Sequence, residues 1–160
     1  MNTAKTTVEN VKKELRSSCV GPFLNVEIID PKDIMQDEMI PCVLRIPSSV
    51  DLHDHPLVSS LSIILQTKAS CFPPFLLLRD VFSNPKTPLT FDVIDATAAP
   101  GNKTTFLGDI MRNQYTPRIQ LTHSGTVYAF DRDRKRYELL KDRCERYGSG
   151  NVRDPPRREA

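Results

Sequence analysis

The sequence has no tryptophan and only four cysteines, and it contains no C-x-x-C pair. Closely spaced cysteines are the usual ligands of structural zinc, and a dense set of them characterises small secreted domains stabilised by disulfides. Cys19, Cys42, Cys71 and Cys144 are scattered along the chain. We therefore expect neither a zinc site nor a disulfide framework, and we interpret the cysteines as reduced intracellular thiols.

Long apolar runs and an excess of one charge are also missing. No apolar run approaches the ~20 residues that span a bilayer, and the first ten residues lack the apolar centre of a signal peptide. We therefore expect no membrane partner. The 22 Lys and Arg residues almost balance the 20 Asp and Glu residues, which leaves a net charge of +2. A charge this small does not by itself indicate nucleic acid as a partner.

The most informative stretch runs from Phe91 to Thr105 and reads FDVIDATAAPGNKTT. Val93 and Ile94 predict a buried strand that ends at Asp95, and the small residues after it predict a tight turn into a helix. In open α/β sheets, ligands bind at the carboxyl ends of strands, where such turns present free backbone amides. This stretch therefore predicts a cofactor-binding loop.

The sequence of this stretch does not match the motif of either of two common nucleotide-binding loops. A P-loop requires G-x-x-x-x-G-K-[ST], but Asn102 precedes Lys103 and Ala96 stands five residues before Gly101. A dinucleotide-binding loop requires G-x-G-x-x-G, and only Gly101 and Gly108 lie nearby. A plain strand-to-helix turn remains the alternative, since such turns are common in α/β proteins.

Ten consecutive positions, Asp95 to Thr104, resemble motif I of the NOL1/NOP2/Sun family of RNA cytosine-5 methyltransferases, D-x-C-A-A-P-G-x-K-T. Thr97 stands where cysteine is commonest in the family, a change that nearly preserves shape. The resemblance implies S-adenosyl-L-methionine as the cofactor. It implies that the residues that bind it include Thr97, Ala98, Ala99, Pro100, Gly101, Asn102 and Lys103.

A second apolar strand, GTVYAFD from Gly125 to Asp131, also ends in an acid. An acidic residue at this place in nucleotide-binding sheets accepts hydrogen bonds from ribose hydroxyls. The sequence from Asp131 onward resembles family motif II, D-x-D-x-x-R, which adds Asp131 and Arg136 to the cofactor-side residues. For Arg136 an exposed charge paired with Asp133 is an equally good interpretation.

The segment before motif I resembles the eukaryotic ribosomal-RNA branch of the same family, on DLHDHPLV and IILQTKASCFP. That branch usually has Asp where Thr67 stands, and Cys71 falls on a family position that is not the catalytic cysteine. His53 and His55 flank Asp54, but the sequence provides no third ligand, so we predict no metal site.

The predicted fold class is α/β. We expect an α+β extension over residues 1–55 and, over 56–160, the start of an RsmB/NOP-type, Rossmann-like methyltransferase domain. Apolar spacing predicts the elements of both parts. The predicted helices start near Val8, at a Ser70 cap, at Lys103 and at Arg134; the predicted strands lie at Val26–Ile28, Cys42–Ile46 and 61–65; and an inserted loop lies at 115–124.

The family places a D-P-P-C-S-like motif after its fourth strand and a T-C-S-like motif after its fifth, and these carry the catalytic cysteine. Asp154 to Pro156 repeat the first three letters, but Arg157 stands in place of the cysteine. We predict no strand before them and interpret Asp154 to Pro156 as a coincidental match in a polar tail. We therefore name no catalytic residue and expect a domain truncated before those motifs.

The resemblance implies methylation of C5 of cytosine in RNA, with ribosomal RNA as the substrate and the nucleus, specifically the nucleolus, as the location; no DNA partner is expected. An inert fragment that binds cofactor or RNA is the alternative from another class. A small-molecule methyltransferase is a third possibility, but it would not share AAPGNKT or KASC.

Overall fold

The computed structural model describes residues 6–18, 33–40, 42–79, 91–112 and 125–153. The chain divides into two compact units, Met1–Leu65 and Gln66–Ala160. The predicted strand at 26–28 and the predicted inserted loop at 115–124 lie outside the described residues.

The first unit combines a helix with a short antiparallel ribbon. Its elements are α1 (Val8–Ser18), β1 (Met35–Gln36), β2 (Leu44–Arg45) and α2 (Pro56–Ser59). The predicted helix from Val8 is confirmed, and Val11 and Leu15 form its buried stripe. The strand predicted at 42–46 is present but limited to two residues, which pair with β1.

The core of this unit draws residues from its whole length: Val11, Leu15, Ile34, Leu52, Leu57 and Ile63. Because Leu57 and Ile63 lie in this core, the unit extends ten residues beyond the boundary that we predict at residue 55. The strand predicted at 61–65 is wrong. Leu61 has a φ of 57° and belongs to a turn, and residues 62–65 pair with none of the strands that the structure describes.

The second unit alternates helices and strands. Its elements are α3 (Lys68–Leu77), β3 (Val93–Asp95), α4 (Asn102–Met111), β4 (Val127–Ala129), α5 (Arg134–Tyr147) and β5 (Val152–Arg153). The three strands form one parallel sheet in the order β3-β4-β5. The helices predicted after Lys103 and Arg134 are confirmed, and together with the sheet they make this unit α/β.

Two predictions about the second unit need correction. The cap of α3 is Thr67 and not Ser70, because the Thr67 hydroxyl accepts the Ser70 N–H at 3.4 Å. In addition, β5 ends directly before residue 154, where we predict no strand. Val127 N donates to Asn151 O at 2.9 Å, so pairing with β4 makes a strand from a segment with little strand character of its own.

A buried polar network joins the carboxyl ends of α4 and α5. Asp109 has 0% exposure and accepts hydrogen bonds from the Tyr147 hydroxyl and, at 2.6 Å, from Arg112 Nη2. Arg112 Nη1 donates to Gly148 O at 2.6 Å. Since buried charges are stable only when paired and hydrogen-bonded, the network fixes how the two helices meet.

The Asp109 carboxyl should make stability depend on pH. Burial raises its pKa above the usual 3.8, although hydrogen bonds from Tyr147 and Arg112 act in the opposite direction. A carboxyl with a raised folded-state pKa contributes stability that is complete below the unfolded pKa and is lost as pH rises through the folded pKa. We therefore expect Asp109→Asn to gain stability relative to the wild type between acidic and neutral pH. Thermal melts of both proteins across this range would contradict the raised pKa if their difference stayed constant.

Candidate cofactor site

The loop after β3 is tied together by Asp95. Its Oδ1 accepts the Thr97 N–H at 3.3 Å, and the Thr104 hydroxyl donates to its Oδ2 at 2.8 Å. Thr104 is buried in the first turn of α4, so the carboxylate links the start of the loop to the helix that follows. Asp95 therefore has a structural role in shaping the loop, and it lies at the carboxyl end of β3, as predicted.

The small residues of the loop fit against α5. Ala98 and Ala99 are buried in a cluster with Ala129 and Leu140. Gly101 caps α4 with a φ of 105°, and a Cβ there would lie 3.0 Å from Leu140 Cδ1. Side chains larger than these would separate the loop from α5, so packing alone explains part of the A-A-P-G spelling.

Asp131 connects the end of β4 to this loop. Its Oδ2 accepts the Ala99 N–H at 3.3 Å, and its Oδ1 accepts the Asp133 N–H at 3.0 Å. β3 and β4 are parallel neighbours, and Asp131 contacts the loop at Ala99. A carboxylate offers about four acceptor positions, so these two bonds leave capacity for a further donor, although the side chain is only 6% exposed.

Arg136 binds the carbonyl group of Ala99, the loop residue whose N–H donates to Asp131. Its Nη2 donates to Ala99 O at 2.8 Å and lies 3.5 Å from Asp131 Oδ2. The alternative pairing of its side chain with Asp133 is not observed, because Asp133 caps α5 by accepting the Arg136 backbone N–H at 2.9 Å. Asp131 and Arg136 thus bind the N–H and the C=O of Ala99, an arrangement that we call the Ala99 clamp.

The remaining predicted residues differ in exposure. Thr97, Pro100 and Lys103 are exposed, whereas the Asn102 side chain accepts a hydrogen bond from Arg143 of α5. The nine predicted residues therefore gather around the carboxyl ends of β3 and β4, and their role in cofactor binding stays a prediction. Arg143 was not among the predicted residues, although its spacing of three from Leu140 puts the two on neighbouring turns of one helix face.

A cavity of about 420 Å³ lies between α5 and β5, and Cys144 lines it. Burial raises the pKa of the Cys144 thiol to about 11. The thiolate is the reactive form of cysteine, so this raised pKa disfavours Cys144 as a nucleophile at neutral pH. We do not assign this cavity to the cofactor, since none of the nine predicted residues lines it.

The two histidines considered as metal ligands have other partners. His53 Nδ1 lies 2.6 Å from Asp51 Oδ1, and His55 Nδ1 caps α2 by accepting the Leu57 N–H. Within the described ranges, no three His, Cys, Asp or Glu residues are grouped so that they could hold a metal ion. No described helix combines the length and apolar character that a membrane span requires.

Comparison with known proteins gives related matches for both units. Residues 1–66 match the family model for the ferredoxin-like domain of NOL1/NOP2/Sun domain family member 5. A solved structure titled "Crystal Structure of PH0851" superposes with a TM-score of 0.64 and 30% identity, covering 96% of this chain and 28% of the other.

Curated relatives have consistent names. A 28S rRNA (cytosine-C(5))-methyltransferase of Mus musculus is 38% identical over 112 residues, which are 70% of this chain and 20% of the relative. The 25S rRNA (cytosine-C(5))-methyltransferase rcm1 of Schizosaccharomyces pombe is 30% identical over 95% of this chain and 29% of its own length. The chain thus spans less than a third of these relatives. Both names describe the eukaryotic large-subunit type, and matches to the NOL1/NOP2/Sun family cover most of this chain.

Proposed function

We propose that this chain is the methyl-donor-binding part of an S-adenosyl-L-methionine-dependent RNA (cytosine-C5)-methyltransferase, with ribosomal RNA as its substrate. The relatives named for this reaction support the proposal. The parallel order β3-β4-β5 with helices between the strands is the topology of one half of a Rossmann-like sheet, and it supports the finer fold assignment.

The observation that carries this proposal is the Ala99 clamp. A ligand can lie against a loop only if the backbone of that loop is held in place beforehand, because ordering it at the moment of binding costs affinity. Asp131 and Arg136 fix both polar groups of Ala99 from the neighbouring strand and helix, and neither interaction is needed to complete a helix or a strand.

The residues of the site suit a donor that carries ribose hydroxyls. Asp131 retains acceptor capacity for a hydroxyl after its two backbone bonds. The side chains of Ala98 and Ala99 are small and buried, so they do not obstruct the exposed side of the loop. When bound, S-adenosyl-L-methionine would supply the methyl group, and Thr97 to Lys103 with Asp131 and Arg136 would hold and orient it.

The chain's own residues account for donor binding and not for attack on the base. In the family, a cysteine thiolate adds to the cytosine ring and thereby activates C5. Among the described cysteines, Cys42 and Cys71 are buried, and Cys144 has a raised pKa and lines the cavity between α5 and β5. RNA as the partner and the nucleolus as the location are parts of the same proposal, and an inert binding fragment remains the second candidate.

Calorimetric titration of the 160-residue chain with S-adenosyl-L-methionine tests the proposal. We expect Asp131→Ala to weaken binding at least about tenfold, the effect of losing roughly 1.4 kcal/mol, because the loop loses one side of its clamp and the ligand loses an acceptor. Asp142→Ala is the matched control, since Asp142 is an exposed carboxylate on α5 that lies outside the Ala99 clamp. Equal affinity of the two variants would contradict the proposal, and circular dichroism would verify that α5 remains helical.

A tritiated-methyl assay on ribosomal RNA tests whether this chain transfers the methyl group by itself. Because the described cysteines are buried or have a raised pKa, we expect this chain to bind the donor but not to transfer its methyl group. Measurable transfer would mean that a nucleophile lies outside the described residues.

A further inference from the structure

Three exposed cations lie between the end of β4 and the first turn of α5: Arg132, Arg134 and Lys135. They lie on either side of Asp133, the residue that caps α5, and we call them the basic turn. The basic turn starts one residue after Asp131, so it borders the carboxyl end of the sheet where the Ala99 clamp lies.

The cations of the basic turn have no partner in the part of the chain that the structure describes, neither an ion pair nor a hydrogen bond from their side chains. The arginines further along α5 differ: Arg143 donates to Asn102, and Arg146 lies 3.4 Å from Asp142. The two nearest carboxylates, Asp131 and Asp133, accept backbone N–H groups instead. Within the described residues, the side chains of the basic turn are therefore not held in ion pairs.

Two of the three charges, on Arg134 and Lys135, lie where a positive charge disfavours a helix. The amino-terminal end of a helix carries a partial positive charge, so acidic residues stabilise its first turn and basic residues destabilise it. The first turn of α5 contains no acidic residue and begins with Arg134 and Lys135. Stability of the fold therefore does not explain the basic turn, whereas an anionic ligand does.

We propose that the basic turn binds backbone phosphates of the RNA substrate beside the donor loop. The inference rests on the proposed function, since it takes RNA as the partner. Several phosphates along one strand match a row of unpaired cations, and a strand held there would lie beside the loop proposed to carry the methyl donor. Such contacts position the RNA without reading its sequence.

Fluorescence anisotropy with a fluorescein-labelled RNA hairpin that carries an unpaired cytosine tests this proposal on the 160-residue chain. The variant combines Arg132→Gln, Arg134→Gln and Lys135→Gln. We expect affinity to fall at least about tenfold at low salt, and the slope of log affinity against log salt to decrease by about 2 to 3, since each lost phosphate contact removes nearly one unit. The melting temperature should stay equal or rise, because the charges oppose the helix dipole.

The matched control removes the same charge from α1 through Lys12→Gln, Lys13→Gln and Arg16→Gln, and it should bind RNA as the wild type does. Equal losses in the two triple variants, or no binding by the wild type, would overturn the proposal, as would preferential binding to anionic lipid vesicles. Donor affinity is measured on the same proteins. If RNA binding depends on the basic turn but the donor does not bind, this proposal is supported and only the proposed function is wrong.

Discussion

Gly125→Ala should lower the free energy of unfolding by about 3 kcal/mol or more, the upper range for forcing extra volume into a packed site. A Cβ at this position would lie 2.3 Å from the Phe91 carbonyl oxygen and 2.4 Å from Met111 Cε. The methionine could move aside because its side chain is flexible. The carbonyl oxygen belongs to the backbone directly before β3, so relief of that contact requires β3 and β4 to move apart.

This movement should also damage the candidate site. The pairing of β3 with β4 starts at these residues: Val93 N donates to Thr126 O at 2.9 Å, and Thr126 N donates to Asp92 Oδ1 at 2.7 Å. If the strands separate here, Asp131 at the far end of β4 no longer lies beside Ala99. We therefore expect donor binding to be lost together with stability.

Urea denaturation of Gly125→Ala and Gly150→Ala checks this prediction. Gly150 is the matched control because an added Cβ there meets nothing within 4 Å. Its substitution should be neutral or stabilise by up to about 1 kcal/mol, since alanine restricts the unfolded chain. Equal stabilities of the two variants would show that the sheet tolerates a side chain at residue 125.

The candidate site was predictable because its signals are local. The order of strand, small-residue loop and helix is written in consecutive residues, and the acid that ends β4 is one position with a defined chemical role. The sequence could not show that Ala98 and Ala99 pack against Leu140, nor that Arg136 binds Ala99 O. Those contacts depend on where α5 lies, which non-local packing decides.

The errors of the sequence analysis have the same origin. Residues 61–65 are apolar enough for a strand, but Leu61 occupies a turn and Ile63 is buried in the core of the first unit. An apolar run without clear periodicity cannot distinguish these outcomes. β5 was missed for the opposite reason: two residues after a glycine-rich turn carry almost no propensity signal, and β4 supplies the pairing that makes them a strand.

Arg112→Met should cost about 3 to 5 kcal/mol, the range for removing one partner of a buried ion pair. Asp109 would keep only the Tyr147 hydroxyl as a donor in a site with 0% exposure, and Gly148 O would lose its bond to Arg112. Arg146→Met is the matched control on α5, because its ion pair with Asp142 is exposed. Exposed pairs contribute about 0 to 1 kcal/mol, so the two arginines should differ clearly in urea denaturation.

A double-mutant cycle with Asp109→Asn identifies the cause of this loss. If stability is lost because the Asp109 carboxylate is left without its charged partner, the double variant should be more stable than the sum of the single losses predicts, by up to about 3 kcal/mol. The excess should shrink at acidic pH. Arg112 lowers the pKa of Asp109 against the effect of burial, so its removal raises that pKa further and lets the carboxyl become neutral by binding a proton. Additive losses at every pH would instead mean that Arg112 acts through its bond to Gly148 O.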